Sequence, residues 1–476
     1  MPKLNSGKGC ISGYSVRNAI LITGIVFFLL PVSLIAQQAK RPNFIFILAD
    51  DLGWSSLATS MDQQLTNAKS DFHETPNLDR LVKRGLRFSR GYAPDPICTP
   101  TRRSIQFGQS SVRQGDDSFS EKIKNPEFVG ASLVHQLKRT DSHYRAAHFG
   151  KWDLRTGVTP KQLGYDESDG DTGNKDGDMV SNKEVKWSQV YVSENPKQAD
   201  SITARAVRFM QHAVADEQPF YLQVSHYATH VNFETKQKSL DYFNNKEKGK
   251  IHENAAWAGM LKDLDAGIGQ LLGMLDSLNI TENTFIFFMA DNGGVEFIPP
   301  VSNRLDHPTK FKSPMRNYPL RGGKWTLYEG GIRVPFVVAG PGILPDSHTD
   351  IPVSGLDILP TIIQLARGLP DVKSALDGKN IADLLFNRDV HHSEKWNRNI
   401  YFHRYNNTYP HSAIISGNFK LIQFWKSNEV ELYDLRKDAG ELNNIALQNV
   451  TRVRSMQKEL KEYALKVNSE IIKWFR

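Results

Sequence analysis

The sequence predicts an α/β protein built on a mainly parallel sheet, and three observations carry that prediction. Short apolar runs of strand length recur at residues 43–49, Phe220–Val224, Thr284–Ala290 and Ile332–Ala339. Helical patterns lie between them, at Asn77–Arg84, Ala131–Lys138, Ala204–Ala215, Ala256–Leu278 and Asp357–Ala366. Two of the apolar runs end in polar pairs, Asp50-Asp51 and Asp291-Asn292. Unbroken apolar strands are buried on both faces, as in a parallel sheet covered by helices. Strands alternating with helices give the same architecture. Ligands of such sheets bind outside the carboxyl ends of the strands, so the polar pairs mark the expected site.

The chain has 476 residues, long for one domain. Up to residue 395 it alternates as described, which predicts one large domain over 37–395. Beyond that the texture changes. NIYFHRY, HSAIISG, FKLIQFW and VELYDL read as short strands, and Arg452–Val467 as an amphipathic closing helix. Strands followed by a helix predict a small α+β subdomain with an antiparallel sheet over 396–476. The acidic, glycine-rich stretch 166–178 has Gly173 where an EF-hand-like spacing needs a ligand, so it reads as a solvated loop bordering the site.

The amino-terminal segment reads as a signal peptide over 1–36. Lys3, Lys8 and Arg17 precede the apolar stretch 19–36, which ends at Ala36 before Gln37-Gln38. An uncleaved anchor is the rival reading, and Thr23, Gly24 and Pro31 weaken it. The expected location is therefore secreted or periplasmic, without stable membrane insertion. The net charge is +7, of which the signal holds three positive charges. What remains is mild, and no basic stripe or motif points to nucleic acid. Hydrophobic residues at 39% and charged ones at 23% exclude both disorder and a multi-span membrane protein. The chain has two cysteines, and Cys10 leaves with the signal, so Cys98 is a lone thiol in an exported protein.

Cys98 opens the segment Cys98-Thr99-Pro100-Thr101-Arg102, followed by RSIQFGQ, which reads as a helix after a tight turn. Around it stand NFIFILADDLGW, GKWDL at 150–154, SHYATH at 225–230, ADNGG at 290–294, GGKWTLYEGGIRVPF at 322–336 and ELYDLRKDAGELNNIA. In this order the blocks resemble the sulfatase family, whose signature is Cys or Ser, any residue, Pro, any residue, Arg. The resemblance covers about residues 41 to 450.

It implies an alkaline-phosphatase-like fold and hydrolysis of sulfate esters, on a sulfated small molecule or glycan. It also implies that a maturation enzyme converts Cys98 to formylglycine. A hydrated aldehyde offers two hydroxyls on one carbon, one to attack sulfur and one to let the carbon return to the aldehyde as sulfate leaves. Asp50, Asp51, Asp291 and Asn292 supply hard oxygen ligands, which suit calcium first and magnesium second. By resemblance they hold one divalent cation, with the residue made from Cys98 as a further ligand. The resemblance casts Arg102 as support for the formylglycine hydroxyl, Lys151 and Lys324 as sulfate contacts, and His230 as the group acting on the leaving oxygen. Asp153 departs from the family, which has histidine there to take the proton that triggers sulfate release. A carboxylate can be that base; His148 and His226 are weaker candidates. Two alternatives stay open: a phosphatase or phosphodiesterase of the same superfamily, against which Cys98 speaks, and a sulfated-glycan binder that has lost turnover.

Overall fold

The central strand, Asn43–Ala49, is buried at every position and lies in the middle of an eight-stranded sheet. The computed structural model describes residues 41–475 other than 66, 116–118, 178–188, 297–314, 371–374, 387–395 and 405–409. The expected signal peptide and Cys10 lie outside the described residues. From edge to edge the sheet runs Ser347–Thr349, Gly85–Phe88, Phe336–Ala339, Thr284–Ala290, Asn43–Ala49, Phe220–Ser225, Arg145–Gly150 and Glu167–Ser168. Only Phe336–Ala339 runs against its neighbours; the other pairings are parallel. Phe44 stacks between Tyr144 and Phe285, with ring centroids 6.1 and 6.0 Å away. The long helix Ala255–Ser277 and the helix Ala199–Ala215 contribute Trp257, Leu261, Leu264, Ile268, Ile202 and Phe209 to the same core.

Several expected elements take different bounds. The run Ile332–Ala339 splits: Glu329–Ile332 is a helical turn and the strand begins at Phe336. Pro335 has no N–H to give a ladder, so pairing starts after it. The helix expected at Ala204 begins at Ala199. Its first turn is polar, with Asp200 and Ser201, and hides the apolar period. The loop 166–178 is also tied down more firmly than a solvated loop. Glu167–Ser168 pairs as an edge strand, Asp169 Oδ2 accepts from Gly150 N at 2.7 Å, and Thr172 Oγ1 donates to Gly150 O at 2.5 Å.

Four antiparallel strands follow: Asn399–Arg404, His411–Ser416, Phe419–Phe424 and Val430–Asp434. The helix Val450–Lys466 packs Met456, Leu460 and Ala464 on Ile414, Leu421 and Leu432 of that sheet. Arg41–Arg476 form one compact unit. Among the described residues no helix is long and apolar enough to cross a membrane.

Candidate active site

Register alone brings the polar strand ends together. Ala49 is level with Ala290, Leu48 with Ser225, and Gly150 with Ser225. The residues that follow, Asp50, Asp291, His226 and Lys151, therefore leave the sheet at one height. Asp51 turns back with φ 57°, a left-handed conformation that non-glycine residues adopt only when their surroundings hold them there. Its N–H donates to Asp291 Oδ1 at 3.1 Å, and Asp50 N donates to Ala228 O at 2.9 Å.

The helix Cys98–Phe107 points its amino end at this cluster. Ile97 gives it no side-chain cap, so the helix start presents unpaired N–H groups and the positive end of its dipole. Thr101 Oγ1 donates to Asp95 O at 3.0 Å and fixes the turn before Cys98. Arg102, one turn on, donates Nε and Nη2 to Asp291 Oδ2 at 3.0 and 2.8 Å, and Nη1 to Lys151 O at 2.5 Å. Ligand atoms of Asp50, Cys98 and Asp291 lie within 4.8 Å of one another, as do those of Asp50, Asp51 and His230. The sequence-predicted residues thus converge on one pocket: Asp50, Asp51, Asp291, Asn292 and Lys151 are wholly buried, and Cys98, Arg102, Asp153, His230 and Lys324 nearly so.

Opposite charges answer one another in this buried site. Lys151 Nζ lies 2.5 Å from Asp50 Oδ2, and Lys324 Nζ 2.6 Å from Asp51 Oδ1. Burial would raise the Asp50 carboxyl, but Lys151 and Arg102 outweigh it and hold the group below the usual carboxylate range. Burial and then Asp50 push Asp291 up to about 7, which Arg102 only partly offsets. Three carboxylates this close do not all ionise easily without further positive charge. Burial likewise raises the Cys98 thiol, against Lys151 and Lys324, the two cations that act on it most. As a thiol it is a poor nucleophile. Burial, then Lys324, lowers His230 to about 4, so its ring is neutral at neutral pH. Nδ1 lies 2.8 Å from Val231 O, which assigns the proton there and leaves Nε2, 3.6 Å from Asp51 Oδ2, as an acceptor.

Among the described residues three buried oxygens in the cluster have no hydrogen-bond partner: Asp50 Oδ1, Asp51 Oδ2 and Asn292 Oδ1. Unpaired buried acceptors are costly, and three together with an all-oxygen donor set fit a hard divalent cation. Asn292 Nδ2 donates to Asp51 Oδ1 at 2.7 Å, which directs its oxygen to the unpaired side.

Asp153 lies beside the start of the Cys98 helix. Its Oδ2 accepts from Thr99 Oγ1 at 3.1 Å and lies 3.6 Å from Lys151 Nζ; its Oδ1 accepts from Arg155 Nε at 2.9 Å. Burial opposes ionisation, but Lys151, Arg155 and Arg102 keep the carboxyl below its ordinary range. His148 instead packs into the core, its ring 4.8 Å from Trp152 with Nε2 3.1 Å from Ser225 Oγ. His226 is buried with neither ring nitrogen hydrogen-bonded.

Sequence reasoning missed Thr99, Arg155 and the pair Arg316-Asn317. Arg316 O accepts from Ser55 N, Ser55 Oγ and Ser56 Oγ, and its Nη1 donates to Asp51 O at 3.4 Å. Asn317 accepts from Gly294 N at 2.9 Å and donates to Gly294 O at 2.9 Å and Gly322 O at 3.3 Å, tying the Asp291 loop to the Lys324 loop. Only the Asp153-Leu154-Arg155 spacing could have drawn attention to one of them.

Comparison with known proteins agrees with this geometry. The profile described as Sulfatase matches residues 42–369, and that described as N-sulphoglucosamine sulphohydrolase, C-terminal, matches 323–470. The chain belongs to the sulfatase family, the sulfuric ester hydrolases. A sulfatase of Formosa agariphila is 26% identical over 94% of this chain and 93% of its own. Human N-acetylgalactosamine-6-sulfatase is 27% identical over 73% of this chain, and the match spans 66% of that enzyme's length. The crystal structure of Ps i-CgsB superposes with a TM-score of 0.71 at 24% identity, covering 89% of this chain and 93% of that one. Its complex with k-i-k-neocarrahexaose gives 0.70 at 23%, with the same coverage. The fold is the alkaline-phosphatase-like α/β fold with a carboxyl-terminal antiparallel sheet.

Proposed function

We propose that this protein is an exported hydrolase of sulfate esters on a sulfated carbohydrate, acting through a formylglycine made from Cys98 and one divalent cation. The observation that carries the reading is the trio of unpartnered oxygens on Asp50, Asp51 and Asn292, set against Cys98 at a helix start and ringed by Arg102, Lys151 and Lys324. Asp50, Asp51, Asp291 and Asn292 would hold the cation, calcium or magnesium by donor type. Such a cation would supply positive charge against sulfate oxygens, and the aldehyde hydrate would supply, beside the attacking hydroxyl, the second hydroxyl that serine lacks. Export rests on the amino-terminal segment 1–36, and the carbohydrate on the relatives' named substrates.

The chain's own groups divide the remaining work. Lys151 and Lys324 offer ammonium donors to the sulfate oxygens, preorganised in a buried site. Lys324 gives the proton to the leaving oxygen, with the His230 ring beside it at the same carboxylate, Asp51. Asp153 takes the proton that lets sulfate leave, a role for which its carboxyl is already ionised. Arg102 holds Asp291 in place and carries the Cys98 helix onto the sheet end.

The test is Cys98→Ser. Produced beside a maturation enzyme that accepts only cysteine, the variant should fold and lose turnover of 4-nitrophenyl sulfate. The wild-type Cys98 peptide should show the mass deficit of a thiol oxidised to an aldehyde. Undiminished turnover by the serine variant would sink the proposal.

A further inference from the structure

Arg155 stands out once the catalytic groups are assigned. Residues 151–154 are buried, and Arg155 is the first side chain of that segment to emerge, 60% exposed. Asp153 and Arg155 both have left-handed backbones, φ 51° and 54°. Non-glycine residues keep such conformations only where the surroundings over-determine them. Here they do: Asp153 N donates to Thr172 O at 2.7 Å, Trp152 N to Thr172 Oγ1 at 3.0 Å, and Trp152 Nε1 to Val158 O at 2.6 Å. The segment is therefore built to aim these two side chains.

They are aimed at each other and at the nucleophile. Asp153 Oδ1 accepts from Arg155 Nε at 2.9 Å, while its Oδ2 takes the hydroxyl of Thr99, the neighbour of Cys98. That bond fixes the plane of the guanidinium through Nε alone. Among the described residues its two terminal nitrogens make no hydrogen bond. A guanidinium pinned at Nε presents its outer N–H groups as a fork that matches two oxygens of one anion. Lys151 and Lys324, deeper in the pocket, already serve the sulfate that is cleaved.

Resting on the sulfatase reading, we propose that Arg155 binds a second anionic group of the substrate, a sulfate or a carboxylate, on the sugar that carries the scissile ester or on the one beside it. Asp153 then acts twice, inward toward Cys98 and outward as the anchor of Arg155. The substrate class is a polyanionic glycan rather than an isolated monosulfate.

Calorimetry on the full-length Cys98→Ser protein, which binds without turnover, tests this with and without Arg155→Gln. The probes are N-acetylgalactosamine 6-sulfate, the 4,6-disulfate, and a 6-sulfated disaccharide carrying a uronate. With Arg155 at least one of the dianions should bind tenfold or more tightly than the monosulfate, and the one that does names the second group. Arg155→Gln should bring that ratio to within about twofold while the monosulfate affinity and Tm stay close to the parent values. Arg155→Lys should recover only part, since an ammonium is a point charge. An unchanged ratio in Arg155→Gln, or no dianion preference in the parent, overturns the proposal. Turnover of 4-nitrophenyl sulfate by the Cys98 enzyme is measured separately. A dianion site that needs Arg155 in a protein without turnover would therefore count against the enzyme and not against this site.

Discussion

Two buried ionic clusters lie on either side of the segment that carries Lys324, and they are built to opposite ends. One is the candidate active site. The other joins that segment to the carboxyl-terminal sheet through Glu329, Lys420 and Glu441, none of which is exposed. Lys420 Nζ lies 3.0 Å from Glu329 Oε1 and 2.8 Å from Glu441 Oε1. Tyr92 donates to Glu329 Oε2 at 3.0 Å, and Glu329 N donates to Glu441 Oε2 at 2.6 Å. Every carboxylate oxygen of this second cluster has a cation, hydroxyl or N–H within 3.0 Å, Glu441 Oε1 through its ion pair with Lys420 alone. At the active site three oxygens have no hydrogen bond among the described residues, with only the neutral His230 ring 3.6 Å from Asp51 Oδ2. The lesson is that burial and charge pairing do not by themselves mark a catalytic centre. What marks it is the unanswered part of the network.

The largest test of that contrast is removal of the cation. Treatment with EDTA should abolish turnover of 4-nitrophenyl sulfate, and calcium or magnesium should restore it. At a thousandfold excess over Kd a bound ion also stabilises the fold by about 4 kcal/mol, read as a rise in Tm on adding calcium to the stripped protein. Asp51→Asn keeps the side-chain shape and should lose most of that rise. A verified metal-free preparation with full activity would remove the cation from the reading.

Next in size is the closed cluster. Lys420→Met strips Glu441 of its cation and leaves Glu329 only Arg333, 3.6 Å away, and breaking a buried pair in this way costs about 3–5 kcal/mol. Urea unfolding should show it, with the Tm response to calcium intact. A loss under about 1 kcal/mol, the scale of an exposed ion pair, would mean that the cluster is not what fastens the sheet.

The contrast also explains how much could be read from the chain. Asp50-Asp51 and Asp291-Asn292 were legible because the strands before them are unbroken apolar runs whose ends are easily seen. The strand Arg145–Gly150 was not, since Arg145, His148 and a closing glycine break its apolar run. The split of Ile332–Ala339 at Pro335 follows from a rule that a stretch of apolar residues masks. Arg316 and Asn317 were invisible for another reason: they act on Asp51, Ser55 and Gly294 through contacts that only the tertiary fold creates. Lys420 and Glu441 carry no mark in the sequence, and only the fold buries them together.

Asp153 sharpens the comparison from the catalytic side. As the base in sulfate release it should matter after the alcohol has left. Asp153→Ala should lower steady-state turnover about 100-fold, at the lower end for a lost general base, while stopped-flow still shows a burst of alcohol in the first turnover. Its carboxyl is held below the ordinary range by Lys151, Arg155 and Arg102 despite burial, and a base works only when deprotonated. The acid limb of the wild-type rate profile should therefore lie at lower pH than in Asp153→His, where imidazole titrates near 6.5. A wild-type rate in Asp153→Ala would send the search for the base elsewhere.

The smallest effect concerns the closed side of the molecule and its response to acid. His403 is buried in the carboxyl-terminal sheet, with Nδ1 2.7 Å from Ser412 Oγ, which also accepts from Trp425 Nε1 at 2.8 Å. Its Nε2 has no hydrogen-bond partner among the described residues, and burial lowers the ring to about 4 against an upward pull from Asp377. The folded protein keeps this histidine neutral, whereas the unfolded chain takes up its proton near pH 6.5. Between those values the unfolded state binds the extra proton, so stability present above pH 6.5 is lost as pH falls toward 4. One such group sets a slope of at most about 1.4 kcal/mol per pH unit. His73 and His148, lowered to about 3, and His226, lowered to about 4, act in the same direction. His403→Gln should therefore flatten the fall of Tm between pH 6.5 and 4 by one proton's share and no more, and leave turnover unchanged because the residue touches no group of the site. If the variant and the wild type lose Tm along parallel lines, His403 is charged in the folded state, and the sheet admits water or a counter-charge where its contacts show a closed interior.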